Sequence, residues 1–379
     1  MKIAFVICEY NPFQNGHAYH LNATRSLSQC DKIICVMSGN VTQRGELAIA
    51  DKYARAKWAI LSGADMVVEL PPQYVLTTAK YFALGAVKIA NAVKGEKYLS
   101  FGSECGNIDT LKAIADFEEN QDFKSTLNKY LKAGYGYAKS LSSALGEISQ
   151  EYAQIISLPN NVLGVEYLRA LRLTNSSISP LTVARQGGGY LDDKKSDTYS
   201  SASAVRKMLE ANDIDGLKNS VPDSVFNDLI AKSKDKTSVE EKLFSILKYI
   251  VSERNLAGVH GVKEGVENRI LNAINSSQNL REFYEKVATK RYTDSYIART
   301  ALNIILGNYI SGELLELSAV KSVNILAVEE NSKYLLSLFD CDVNTKNSTL
   351  EPNSMILVAD RLYSSVYSNM PYSMITVKR

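Results

Sequence analysis

Several features are scarce in this chain of 379 residues, and each scarcity narrows the class of protein. No apolar stretch approaches the roughly 18 unbroken residues of a membrane-spanning helix, and the first apolar run ends at Glu9, too early for a signal peptide. The five cysteines form neither an even disulfide framework nor a Cys-x-x-Cys zinc pair, which favours reduced, mostly buried thiols. A net charge of +2 gives no global signature of a nucleic-acid binder, so any such surface must be local. We therefore expect a cytoplasmic protein with no membrane partner.

Histidine is rarer still, and its distribution is uneven. Two of the three histidines, His17 and His20, lie three residues apart and share one face if the segment is helical. They follow the apolar run 3–7 through a loop that contains Pro12 and Gly16. A helix start after a buried strand presents free N–H groups and a positive dipole end to a ligand above the loop. The pattern predicts a phosphate-binding turn; a plain tight turn with solvated histidines is the alternative.

Apolar β-rich runs alternate with helical patterns through the first half of the chain. This alternation predicts right-handed βαβ units and a parallel sheet covered on both faces. Ligands of such sheets bind beyond the carboxyl ends of the strands, so the His turn and segments 38–40 and 102–104 should converge. The predicted strands are 3–7, 33–37, 66–70 and 97–101, with helices at 51–61 and 79–93 between them.

From about residue 203 the pattern becomes helical, with apolar residues at helical spacing in 238–254 and 295–310. Three short β-leaning runs follow, at 322–328, 334–339 and 355–359. The predicted fold class is α/β. We expect a Rossmann-like nucleotidyltransferase domain with a parallel sheet, then a mainly helical domain, then a small α/β C-terminal subdomain. The predicted bounds are 1–205, 206–318 and 319–379.

The His turn also carries a resemblance. Residues 11–20 resemble the N-terminal ATP motif of nucleotidyltransferases and class I aminoacyl-tRNA synthetases, His-x-Gly-His, with Gln14 at the position of the first His. Gln can donate a hydrogen bond to phosphate but cannot carry a positive charge. More closely, the chain resembles the tRNA(Met) cytidine acetate ligases, a bacterial family. The matching segments are 9–20, 37–45, 101–104, 158–164 and 289–293.

The resemblance implies an ATP site in the first half of the chain. It implies catalytic roles for His17, His20 and Arg44. It leaves open whether Asn160 or Asn161 contacts ATP, since either suits a helix N-cap, and it likens Arg206 to part of a phosphate-binding loop. The implied ATP-binding residues are Ile7, Cys8, Glu9, Tyr10, Asn11, Pro12, Phe13, Gln14, Asn15, Gly16, His17, Ala18, Tyr19, His20, Gly102, Asn160, Asn161 and Arg185.

A basic cluster interleaved with tyrosines lies in the helical half. Basic side chains contact phosphates without base specificity, and tyrosines can stack on unpaired bases. A solvated charged face is the ordinary interpretation, and the match at 289–293 implies RNA binding instead. The predicted RNA-binding residues are Lys286, Lys290, Arg291 and Arg299, beside Tyr284, Tyr292 and Tyr296.

The activity that the resemblance implies is ATP-dependent ligation. Acetate is activated as acetyl-adenylate, and the N4 amine of the wobble cytidine of elongator tRNA(Met) takes the acetyl group. The expected cofactor is ATP, as its Mg²⁺ complex, without a tightly bound metal because no carboxylate cluster is evident. Two alternatives remain: a nucleotidyltransferase that adenylylates a phosphorylated cofactor precursor, and an RNA-binding module with a vestigial nucleotide fold.

Overall fold

The computed structural model describes residues 1–185, 199–232, 236–263, 265–367, 371 and 373–379. The four strands predicted in the first half of the chain are confirmed. The strands are β1 Lys2–Cys8, β2 Lys32–Ser38, β3 Met66–Leu70, β4 Glu96–Ser103, β5 Ser179–Ala184, β6 Ser322–Glu329, β7 Asp342–Asn344 and β8 Ile375–Val377.

All eight strands belong to one sheet. Their order is β5-β4-β1-β2-β3-β6-β7, and β8 also pairs with β6. Neighbours are parallel except β3 and β6, which are antiparallel. The chain passes from β1 through β2 to β3 on one side and then places β4 on the other side of β1. The strand order therefore reverses between β1 and β4, which is where open α/β sheets bind ligands.

The described residues contain 18 α-helices. They are α1 Asn15–Ser28, α2 Lys52–Leu61, α3 Pro72–Val75, α4 Ala79–Asn91, α5 Ile108–Asp116, α6 Gln121–Lys132, α7 Tyr137–Gly146, α8 Gln150–Ile156, α9 Pro159–Leu173, α10 Ala202–Glu210, α11 Ile214–Ser220, α12 Asp223–Lys232, α13 Lys236–Glu253, α14 Val266–Ser276, α15 Leu280–Val287, α16 Asp294–Leu306, α17 Gly312–Leu317 and α18 Met355–Val366. None is long and apolar enough to cross a lipid bilayer.

Helices cover both faces of the sheet, as predicted. Alternate residues of β1 show this, because Ile3 and Phe5 enter one hydrophobic core while Ala4 and Val6 enter the other. The first core continues into α13–α16. The second packs α1 and α2 on the opposite face, together with α10–α12. This arrangement confirms the predicted α/β fold class, and the three predicted domain bounds stay a prediction.

Two of the three strands predicted after residue 320 are wrong. Residues 334–339 fall largely in a 3₁₀ segment, Glu330–Leu338, and residues 355–359 begin α18. Ser354 caps α18 by accepting a hydrogen bond from the backbone N–H of Leu357 at 3.5 Å. A short continuous apolar run suits a buried strand and a buried helix equally, so the pattern alone does not separate them. The predicted strand at 322–328 is confirmed as β6.

Candidate active site

A cleft opens at the carboxyl edge of the sheet, over the ends of β1 and β4. Its volume is about 1870 Å³, and its lining includes His17, His20, Gly102, Asn160 and Arg185. A pocket for one small ligand occupies roughly 300–1,000 Å³. The cleft therefore has room for a nucleotide and a further substrate together. The predicted convergence of the His turn with the end of β4 is found here.

The turn between β1 and α1 is sharply bent. Tyr10 has φ of 49°, and the Asn11–Pro12 peptide is cis. Gln14 caps α1, because its side-chain Oε1 accepts from the backbone N–H of Gly16. The backbone N–H of Gln14 donates in turn to Nδ1 of His17 at 3.2 Å. The side-chain nitrogen of Gln14, Nε2, has no hydrogen-bond partner among the described residues, and Gln14 lines the cleft. Gln14 can therefore cap the helix and offer a donor to a bound anion.

His17 is held in a defined tautomer. Since its Nδ1 accepts the Gln14 N–H, the proton of the neutral ring is on Nε2. The ring packs against Tyr10 and Phe13, with centroids 4.9 and 5.5 Å away. Burial, together with the charges of Arg185 and His20, lowers the pKa of His17 to about 3. The free site thus presents a neutral N–H donor rather than a positive charge.

His20 is held by residues that the sequence analysis did not single out. Its Nε2 lies 3.2 Å from Oγ of Ser100, and that hydroxyl lies 2.6 Å from Oγ1 of Thr24. Ser100 and Thr24 are fully buried. Burial, with a contribution from Arg185, lowers the pKa of His20 to about 4. A polar residue in the middle of buried β4 was the signal in the sequence for this contact.

A chain of polar contacts connects the end of β4 to the start of α9. Glu104 accepts from Nδ2 of Asn160 at 2.6 Å, and Oδ1 of Asn160 accepts from Nη1 of Arg185 at 3.4 Å. Arg185 lies over Gly102, where an added Cβ would be 3.4 Å from its Cγ. A Cβ at this position would be in ordinary van der Waals contact with the arginine. Gly102, Asn160 and Arg185 form one wall of the cleft.

Asn161, in contrast, points into the protein. It is fully buried, and its Oδ1 accepts from the N–H groups of Glu104 and Cys105 at 2.9 and 3.1 Å. Its Nδ2 donates to the carbonyl of Ile155 at 2.8 Å. These bonds leave its amide occupied by the fold, so the geometry favours Asn160 as the residue that meets a ligand.

The part of the loop after β2 that lines the cleft lies further along the chain than residues 38–40, which were expected there. Residues 42–47 line it, including the exposed Arg44. Segment 38–40 is instead packed beneath the loop, contrary to expectation, with Ser38 and Asn40 fully buried. Arg55 explains the difference, because its buried guanidinium donates to the carbonyls of Glu9, Ser38 and Gly39. The polar segment 38–40 therefore supports the loop.

Glu9 and Arg299 both bond to the backbone of Gln43 in that loop. The N–H of Gln43 donates to Oε1 of Glu9 at 2.7 Å, and its carbonyl accepts from Nη1 of Arg299 at 2.9 Å. Burial raises the pKa of Glu9, although the Gln43 N–H, Arg55 and Arg44 oppose the shift. Burial lowers the pKa of Arg299. Both side chains line the cleft.

Arg206 also reaches the His turn. Its Nη1 donates to the carbonyl of Asn11 at 2.7 Å, and its Nη2 donates to Oγ of Ser203 at 3.2 Å. It lines the cleft with residues 199–203.

Of the predicted ATP-binding residues in 7–20, ten line the cleft and four do not. Those four are Pro12, Phe13, Asn15 and Ala18, which pack behind the turn or, for Asn15, bond to the carbonyl of Asn219.

The four predicted RNA-binding residues do not share one environment. Arg299 lies in the cleft, and Lys286 pairs with Glu282 at 2.7 Å. Lys290 and Arg291 are exposed, and the Arg291 guanidinium lies 5.5 Å from the ring centroid of Tyr292.

The third histidine, His260, contacts backbone through its Nδ1, 3.0 Å from the carbonyl of Ile310. All five cysteines are free thiols.

Comparison with known proteins identifies the family of this chain. The model of the HIGH Nucleotidyl Transferase family matches residues 1–376. A tRNA(Met) cytidine acetate ligase from Clostridium botulinum strain Okra is 38% identical over 353 residues, which cover 89% of this chain and 86% of that protein. One from Caldicellulosiruptor bescii is 39% identical over 345 residues, which cover 89% and 84%. The chain belongs to the HIGH nucleotidyl transferases and, among them, to the family of tRNA(Met) cytidine acetate ligases.

Solved structures extend the likeness to the whole fold. The crystal structure of Thermotoga maritima TmcAL bound with alpha-thio ATP is similar with a TM-score of 0.86 and 28% identity. The apo form of that protein gives a TM-score of 0.88 and 27% identity. Each comparison covers 100% of both chains. No described residues form a group of three or more His, Cys, Asp or Glu side chains that could hold a metal ion.

Proposed function

We propose that this protein is an ATP-dependent ligase that activates acetate as acetyl-adenylate and acetylates the N4 amine of the wobble cytidine of elongator tRNA(Met), in the cytoplasm. The observation that carries the proposal is the cleft at the β1/β4 reversal, where the phosphate-binding turn of a HIGH nucleotidyl transferase meets Gly102, Asn160 and Arg185. Relatives at 38–39% identity bear the name of this activity.

The donors in the cleft suit a nucleotide triphosphate. The Nε2–H of His17, the amide nitrogen of Gln14 and the guanidinium of Arg185 line the same space at a helix N-terminus. Such donors stabilise the charge that develops on phosphate oxygens as pyrophosphate leaves. A bound phosphate anion also favours the protonated form of His17 and His20, which opposes the lowering of their pKa values by burial. If ATP enters as its Mg²⁺ complex, the metal would neutralise part of the phosphate charge, and His17, Gln14 and Arg185 would hold the phosphates.

Arg44 and Asn160 have separate tasks in this scheme. Arg44 is exposed on the loop over the cleft, where its guanidinium can hold a phosphate or the acetate carboxylate. Asn160 offers an amide that is already oriented by Glu104. Carboxylate attack on the α-phosphate forms a C–O–P linkage and releases pyrophosphate. Attack of the cytidine N4 amine on the acetyl carbon then forms the amide, breaks the bond to AMP and releases a proton. No side chain acts as a covalent nucleophile.

Isotope exchange between ATP and pyrophosphate tests the first step. Purified protein should catalyse exchange that depends on acetate, without any tRNA. Radiolabelled acetate should then enter a tRNA(Met) transcript with cytidine at the wobble position and should not enter a matched transcript with uridine there. Exchange that requires a phosphorylated cofactor precursor instead of acetate would select an adenylyltransferase. Absence of exchange with tight tRNA binding would select an RNA-binding module.

A further inference from the structure

A second basic surface lies outside the four residues that the sequence analysis assigned to RNA. Residues 123–146, which form most of α6 and all of α7, contain four lysines and no acidic residue. The lysines are Lys124, Lys129, Lys132 and Lys139, and all four are exposed. Three tyrosines, Tyr130, Tyr135 and Tyr137, are interleaved with them.

The cations of this segment are largely uncompensated. Lys129 lies 3.7 Å from Glu147, but among the described residues no carboxylate lies within 4 Å of Lys132 or Lys139. The Lys139 ammonium lies 4.5 Å from the ring centroid of Tyr135. A lysine held over an aromatic ring keeps its charge and places both groups at one point of the surface.

The α6–α7 turn meets the loop that carries Lys290 and Arg291. A Cβ at Gly136 would lie 3.8 Å from the carbonyl oxygen of Lys290 and 3.7 Å from that of Arg291. The two backbones are therefore in van der Waals contact, although they are more than 150 residues apart in the chain. The exposed cations on the two sides of this backbone contact, with Tyr135, are together called the α6–α7 basic surface: Lys132, Tyr135, Lys139, Lys290 and Arg291.

This surface borders the mouth of the cleft. Asp294 and Ser295, three and four residues after Arg291, line the cleft. On the other side, α7 is tied to α9 because Nη1 of Arg169 donates to the Tyr137 hydroxyl at 3.1 Å. Asn160, in the first turn of α9, also lines the cleft. A polyanion bound to the basic surface would therefore end beside the adenylation site.

We propose that the α6–α7 basic surface binds the phosphodiester backbone of the RNA substrate and directs its single-stranded loop into the cleft. The inference rests on the proposed function and extends it by placing part of the RNA site on the first half of the chain. Lysines without neighbouring carboxylates bind phosphates at positions set by backbone shape, without reading bases. The adjacent tyrosines offer faces on which an unpaired base can stack.

The test compares two double variants with the same change in charge. Lys132→Ala with Lys139→Ala removes two cations of the surface. Lys57→Ala with Lys333→Ala removes two exposed cations that do not line the cleft. Each protein is assayed for tRNA(Met) binding over a range of salt concentrations, for acetyl transfer to tRNA and for acetate-dependent pyrophosphate exchange.

The surface variant should bind tRNA(Met) several-fold more weakly, and the slope of log affinity against log salt should flatten by about one for each lysine that no longer meets a phosphate. Pyrophosphate exchange should stay at the wild-type rate, and the KM for tRNA should rise. Adding Lys290→Ala and Arg291→Ala should flatten the slope further. Affinity and slope equal to those of the control variant would overturn the proposal. Failure of the wild-type protein to exchange or to bind tRNA would instead overturn the proposed function.

Discussion

Arg299, on α16, donates a hydrogen bond of 2.9 Å from Nη1 to the backbone carbonyl of Gln43, in the loop after β2. The two residues are 256 positions apart, and α16 packs so closely here that a Cβ at Gly45 would lie 2.4 Å from the backbone nitrogen of Arg299. The helical half of the chain therefore helps to shape the loop that carries Arg44, and only glycine fits at the contact.

Arg299 should consequently behave unlike the exposed cations near it. Arg299→Ala removes a donor to the Gln43 carbonyl. We therefore expect acetate-dependent pyrophosphate exchange to fall by roughly tenfold, which corresponds to the net free energy of about one hydrogen bond. Lys290→Ala, its control, should leave exchange unchanged because Lys290 is exposed outside the cleft. An Arg299→Ala enzyme with normal exchange and weakened tRNA binding would return Arg299 to the role that the sequence suggested.

His17→Ala should remove most adenylation while leaving the protein folded. The variant loses the Nε2–H donor in the cleft, and one preorganised donor in a transition state is worth roughly 10²–10³ in rate. Pyrophosphate exchange measures the loss, and circular dichroism checks the fold. His260→Ala is the control, since that histidine does not line the cleft and its Nδ1 lies 3.0 Å from the backbone carbonyl of Ile310. Wild-type exchange by a folded His17→Ala protein would contradict the assignment.

The same histidines predict a dependence of stability on pH in the absence of ligand. The pKa values of His17 and His20 are lowered in the folded protein to about 3 and about 4, against 6.5 in the unfolded chain. Between pH 6.5 and 4 the unfolded chain binds protons that the folded protein does not. The contribution of the two histidines to the free energy of unfolding is therefore complete above pH 6.5 and is lost as the pH falls. Urea midpoints at pH 7 and pH 5 should differ less for His17→Gln with His20→Gln than for the wild type.

Alanine substitutions at Asn160 and Asn161 should have different effects, one on ATP binding and the other on the free energy of unfolding. Asn160→Ala should raise the KM for ATP with little effect on the free energy of unfolding. Asn161→Ala leaves the N–H groups of Glu104 and Cys105 without their partner, whereas the carbonyl of Ile155 still accepts from the backbone N–H of Leu158 at 3.3 Å. A buried unsatisfied group costs about 1–3 kcal/mol, so this variant should be destabilised by at least that amount. Urea denaturation and steady-state kinetics on both variants decide the matter, and the reverse pattern would assign ATP contact to Asn161.

Lys52 is the centre of a buried polar network. Its Nζ donates to Glu69 and Asp360, both at 2.8 Å, and all three side chains are at most 2% exposed. Burial alone would lower the pKa of Lys52, but the two carboxylates outweigh it and raise the pKa. Lys52→Met strands two buried carboxylates and should cost about 3–5 kcal/mol in the free energy of unfolding. Lys57→Ala, on the same helix but exposed, should cost almost nothing. Equal costs in urea denaturation would show that the network contributes no stability.

Local pattern was sufficient for the first four strands and for the segment that meets the end of β4 at the cleft. Strands β1–β4 lie where apolar runs were predicted, and the concentration of His17 and His20 after the first run marks the turn that lines the cleft. The failures have two physical origins. The apolar runs 334–339 and 355–359 suit a strand or a helix equally, so local pattern does not separate the two. Segment 38–40 lies beneath the loop because Arg55 donates to the backbone carbonyls of Ser38 and Gly39 and the Asn40 amide donates to Asp360. Arg299 likewise bonds to Gln43, and its predicted contact with RNA stays a prediction. Nothing local in the sequence distinguishes such residues from ligand-binding ones.

The antiparallel pairing of β3 with β6 has a consequence for synthesis of the chain. About 250 residues separate the two strands, so β3 is the edge of the growing sheet until most of the protein has left the ribosome. Over the same interval Lys52 lacks Asp360 and Glu69 lacks Asn324. An exposed strand edge beside a buried polar network that still lacks some of its partners is a site for wrong association between nascent chains. Slow translation of the helical half would therefore lower the yield of folded protein, and the yield should recover when holdase chaperones are supplied.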